Sequence, residues 1–268
     1  MSTFDRYQQR ITCYKRLFLF LHVKILLVWL LTAFLFSSCN SIAQSNSPSE
    51  SKGIDAVLAF YGGKVTYSKG LTSRTDDKLQ GRFYELKISG LEEKIKRYLA
   101  SPQLPASNCA YLFYQALTAE EKKAYAFVRI VIEGTNANVT YDFATADLAQ
   151  VGQATRLIAQ AVTYMQTAHY APLLAKGNLS AASRQDWYKA TAMFTAVDQQ
   201  YGAVKEFKLQ GFEFVEYKMA SGPRRFVRMV GILVRTKQNT DFTFVLDPTA
   251  SAQSEYLYGF DFSKKLSK

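Results

Sequence analysis

The leader decides how much of this chain is left to fold. Arg6, Arg10, Lys15, Arg16 and Lys24 precede an apolar run from Ile25 to Phe36, and Ser37-Ser38-Cys39 follows it. Basic residues, a run of this length and small residues at its end make an export signal, which removes residues 1–38 from fold reasoning. Cysteine use agrees. Cys13 lies in the leader and Cys39 at its boundary, so Cys109 alone remains for the globule and no internal disulfide can form there.

The segment Leu35-Phe36-Ser37-Ser38-Cys39 resembles a bacterial lipoprotein signal, with Phe36 where that pattern usually has leucine. The resemblance implies that Cys39 becomes the lipidated first residue of the mature chain and that the membrane is reached through that lipid. It also implies the outer membrane, facing the periplasm, because Asn40 is not the aspartate that retains such proteins on the inner one. The alternative is an uncleaved anchor, since Leu17 to Ser38 is long enough to cross a bilayer if His22 and Lys24 sit near one end.

Residues 39–53 are polar and short of large apolar groups, and the sequence predicts a flexible tether there, with the folded part starting near Ile54. The leader holds five of 33 basic and one of 22 acidic residues, which leaves 28 against 21, a net charge of +7. That excess suits a neighbour such as an anionic membrane, a cell-wall polymer or an envelope protein. Export argues against nucleic acid as a partner.

Two units are expected. Over residues 54–144 the periodicity alternates between helix and strand: a short helix closed by Gly62-Gly63, strands around Val65–Tyr67 and Tyr84–Ile88, helices over Leu91–Leu99 and Ser107–Leu117, and a hairpin from Ala124–Ile132 to Val139–Phe143. This predicts a four-stranded sheet covered by helices on one face. Over residues 145–268 two amphipathic helices come first. Leu148, Val151, Ile158, Val162 and Met165 mark one, and Trp187, Phe194 and Tyr201 the other, begun by the capping residues Ser183–Asp186. Antiparallel strands follow, with a bulge at Gly211 and a last strand through Tyr256, Tyr258, Phe260 and Phe262.

The class is therefore α+β. Helices followed by a curved antiparallel sheet, with Trp187, Asp198, Tyr201-Gly202 and Tyr258-Gly259-Phe260 at the junctions, resemble the cystatin-like or NTF2-like cone fold over residues 146–262. The resemblance implies a pocket between sheet and helix. Trp187, Phe194, Phe214 and Tyr258 are its expected lining, and Trp187, Phe214 and Tyr258 its candidate ligand contacts.

The residues otherwise favour binding or assembly over catalysis. His169 is the one histidine after the leader and falls on the apolar stripe of its helix, where a packed or border histidine is the plain expectation. No phosphate-binding glycine loop, metal-ligand spacing or cofactor motif is present, so no metal and no cofactor are expected. Cys109 reads as a small buried hydrophobe. Arg224, Arg225 and Arg228 form a candidate basic patch beside Gly222-Pro223, but alternation sets Arg225 on the opposite face of the strand.

Overall fold

The computed structural model describes residues 46–73, 78–90, 102–134, 137–219 and 222–262. The leader, Cys39 and the helix expected over Leu91–Leu99 lie outside the described residues. From Asn46 onward the chain forms one compact unit of α+β class.

Helix α1 (Pro48–Tyr61) starts six residues before the expected Ile54, inside the segment read as a tether. The reason is local. The Ser47 hydroxyl accepts from the Glu50 N–H while the Glu50 carboxylate accepts from the Ser47 N–H, a capping box with Pro48 at the first helical position. After Gly62-Gly63, β1 (Lys64–Thr72) pairs antiparallel with β2 (Gly81–Ser89). A crossover containing α2 (Gln103–Ala116) and α3 (Ala119–Ala124) returns the chain to β3 (Phe127–Ile132), which lies parallel to β2. β4 (Val139–Ala144) closes sheet A in the order β1-β2-β3-β4. Here α2 begins at Gln103, not Ser107: Pro105 falls in its first turn, where no intrahelical partner for its missing N–H exists.

Helix α4 (Thr145–Gln166) carries the expected stripe, with Leu148, Val151, Ile158, Val162 and Met165 buried. It stops before His169, which is exposed in the turn that Ala168 makes at φ 53°, so the histidine is not on the stripe. A short helix, α5 (Tyr170–Leu174), accommodates Pro172, and α6 (Arg184–Tyr201) follows with Ser183 as its cap. Sheet B is a meander, β5 (Val204–Met219), β6 (Gly222–Arg235), β7 (Thr240–Leu246) and β8 (Leu257–Asp261). The bulge expected at Gly211 is present as a register shift between Leu209 and Gly211. A Cβ at Gly211 would meet the Leu104 carbonyl oxygen at 2.3 Å, so the close approach of α2 to β5 requires glycine there.

One hydrophobic cluster runs through both sheets, from Val57, Tyr84 and Phe113 to Phe194, Phe244 and Leu257. Cys109 is inside it, and burial pushes its thiol up. No described helix is long and apolar enough to cross a membrane.

Candidate binding surface

The space between α6 and sheet B is filled by aromatic rings. Phe194 is the centre, with Tyr170 stacked at 4.9 Å, Phe260 at 4.9 Å, Phe262 edge-on at 5.3 Å and Phe242 at 6.4 Å. Trp187 leans on Phe260 at 5.9 Å and donates its indole N–H to the Asn178 carbonyl at 3.1 Å.

The four residues expected around one pocket are split between three places. Trp187 and Phe194 belong to the filled cluster. Phe214 meets Phe212 edge-on at 6.0 Å and lies under the Arg225 guanidinium at 3.7 Å. Tyr258 stacks on Phe226 at 4.0 Å and Tyr217 at 5.4 Å, and its hydroxyl donates to the Met219 sulfur at 3.0 Å. A bulge explains the separation. Leu257 pairs with Leu246 while Gly259 pairs with Val245, so Tyr258 is the extra residue and turns away from the side of Phe260.

The three arginines of the basic patch each hold a carboxylate of this chain. Arg224 reaches Asp247 at 2.5 Å, Arg225 grips Asp147 with two bonds of 2.8 and 2.9 Å, and Arg228 pairs with Glu213. Such half-exposed pairs contribute little to stability, about 0–1 kcal/mol each, but each already balances the charge of its arginine.

A groove of about 310 Å³ opens between α4 and β5. Ile158, Val162, Phe207, Leu209 and Met229 give it apolar walls. Its polar lining is turned inward: the Thr155 and Thr163 hydroxyls donate to the Val151 and Ala159 carbonyls at 2.9 and 3.0 Å, and Gln166 donates to the Lys205 carbonyl at 2.5 Å. Glu206 supplies a charge and is balanced by Lys208 at 3.1 Å. The larger part of what remains on offer is methyl and ring surface, which favours an apolar ligand or side chain.

Two polar clusters were not anticipated from sequence. In the first, Arg235 is fully buried, pairs with Asp198 at 2.6 Å, and donates to Thr240 Oγ1 at 3.0 Å and to the Gly202 carbonyl at 2.8 Å. Tyr170 donates to the same Asp198, and burial followed by that carboxylate pushes its phenol up. Strand parity carried a signal for it, because Val227, Met229, Leu233 and Arg235 share the inward face of β6. In the second, the Ser47 and Ser49 hydroxyls donate to Glu121. Burial alone would raise that carboxyl, yet these bonds and those from Thr118 hold it at about 2. Nearby, Lys69 pairs with Glu50 at 2.7 Å, beside the buried hydroxyls of Tyr67 and Tyr84. Burial, then Glu50, pushes the Tyr67 phenol up, and burial, then Tyr125, pushes up that of Tyr84.

Both clusters tie elements together, α6 to β6 and β7 in one case and α1 to α3 and β1 in the other. Among the described residues no group of three or more His, Cys, Asp or Glu side chains is placed to hold a metal ion. Comparison with known proteins gives no matching family model, no matching curated relative and no matching solved structure.

Proposed function

We propose that this protein is an envelope lipoprotein, tethered through a lipid on Cys39, whose globule acts as a non-catalytic binding or assembly module. The groove between α4 and β5 carries the reading of the globule. The Thr155, Thr163 and Gln166 side chains on its walls are bonded within the chain and its one carboxylate, Glu206, is paired with Lys208, so it offers mainly apolar surface to a partner. The signal-like segment around Cys39 supports the tether and an outer-membrane location facing the periplasm. An apolar segment of another envelope protein fits such walls better than a charged cell-wall polymer does.

The competing reading is a small-ligand carrier, favoured by the groove's volume, which lies at the lower end for small-molecule sites. A photocrosslinking side chain at Thr163 in the full chain, irradiated in native membranes, separates the two. A discrete protein adduct, absent when the same group stands at Thr195 on α6, is expected. An adduct of small-molecule mass at Thr163 would establish the carrier instead.

A further inference from the structure

The ends of the two sheets are treated differently. At β5 side chains of α1, α2 and α4 bond the backbone between Lys205 and Phe212: Ser107 Oγ accepts from the Phe212 N–H at 2.8 Å, Tyr61 donates to the Gln210 carbonyl at 3.3 Å, and Gln166 to the Lys205 carbonyl. β8 is short, and its Leu257 bonds to the Lys176 carbonyl at 2.9 Å and the Asn178 N–H at 2.7 Å. β4 is paired with β3 without a break from Phe127↔Ala144 to Ile132↔Val139, but it offers six residues against the nine of β1. Among the described residues β1 is the longer outer strand of sheet A, and its pairing with β2 is unbroken from Lys64↔Ser89 to Thr72↔Gly81, without proline or bulge. A regular edge of this kind is a template for another strand.

Two features of β1 bear on what would join it. Lysine on an edge ordinarily discourages strand addition, but of the two on β1, Lys69 is neutralised by Glu50 at 2.7 Å and Lys64 stands at the strand's first position. Leu71 is 73% exposed, the highest value among the exposed large hydrophobic residues described, and is not part of the hydrophobic cluster formed by the described residues.

We infer that β1 pairs antiparallel with β1 of a second copy, centred on Ser68. In that register Leu71 stands opposite Val65 of the partner subunit, Tyr67 opposite Lys69 of the partner subunit, and Lys64 opposite Thr72 of the partner subunit. The exposed leucine gains an apolar neighbour and no two lysines face each other. Centring on Lys69 would set that lysine against its own copy, and centring on Tyr67 would set Leu71 against glycine. The contact is small, so the dimer is weak in solution and is reinforced when both copies are held on one membrane. The inference goes beyond the proposed envelope role and stands without the lipid.

Disulfide trapping in the full chain tests it. Ser68→Cys puts two thiols directly opposite each other, within reach of a disulfide, and should give a covalent dimer under mild oxidation. Thr66→Cys, whose own copy lies four residues away along the pair, should give no more dimer than the unsubstituted chain. A mixture of Lys64→Cys and Thr72→Cys chains reads the same register independently and should crosslink where neither chain alone does. Adding Leu71→Lys should lower the Ser68→Cys yield several-fold. Trapping at Thr66→Cys equal to that at Ser68→Cys, or no trapping above the unsubstituted chain at either test pair, would overturn the inference.

Discussion

The Arg235 guanidinium, with no exposed surface, lies 2.6 Å from the Asp198 carboxylate and fastens the end of α6 to sheet B. Removing the acid leaves a charge in the interior with its strongest partner gone. Asp198→Ala should therefore cost about 3 kcal/mol of unfolding free energy, read by urea denaturation, while Asp198→Asn, which keeps hydrogen-bond acceptance, should cost less. A loss below about 1 kcal/mol for Asp198→Ala would mean that the pair is not a fastening.

Glu121 gives the fold a defined acid limit. Its folded-state carboxyl sits at about 2 against an ordinary 4.5, so its stabilisation is fully present above about 4.5 and disappears as pH falls toward 2. Urea midpoints measured across that window should fall with acid in the unsubstituted chain. In Glu121→Gln the same stretch should be flatter, and stability at neutral pH should be lower.

Gly211 and Gly177 are sites where a single methyl has no room. A Cβ would stand 2.3 Å from the Leu104 carbonyl oxygen in the first case and 2.2 Å from the Trp187 indole in the second. Gly211→Ala meets backbone and Gly177→Ala a packed ring, so each should cost about 1–3 kcal/mol by thermal or urea unfolding. Cys109→Ser, by comparison, changes a buried thiol for a hydroxyl of similar size and should cost about 1–2 kcal/mol without altering the secondary structure seen by circular dichroism.

Ile158 sits on the packed stripe of α4 and also walls the groove. Ile158→Asp should unfold the chain, because the carboxylate would be buried without a partner. Thr163→Ala lies at the groove's edge and should leave stability within about 0.5 kcal/mol.

Periodicity made much of this fold legible. The stripe from Leu148 to Met165, the capped helix from Arg184 and the bulge at Gly211 were all readable because each is specified by residues close in sequence. The start of α1 was missed for a different reason. Ser47-Pro48-Ser49-Glu50 carries a capping signature, but its polar composition also describes a tether, and what decides between them is the distant pairing of Glu50 with Lys69 and of both serines with Glu121. Tyr258 was expected beside Phe260 because alternation assumes an unbroken strand; the bulge opposite Val245–Leu246 reverses it, and Gly259 was the one local signal for the change. The three arginines of the basic patch each end on a different carboxylate. These partners, Asp147, Asp247 and Glu213, come from three different parts of the chain and only the fold brings them there.

The most direct measurement on the proposed role is intact mass spectrometry of the mature protein purified from native membranes. A lipid-anchored protein gives a chain beginning at Cys39 and carrying acyl groups on it, with Met1 to Ser38 removed, and a Cys39→Ser form that remains an unlipidated precursor. A mature chain that keeps Met1 to Ser38, or one that begins elsewhere with Cys39 unmodified, would contradict the lipid anchor.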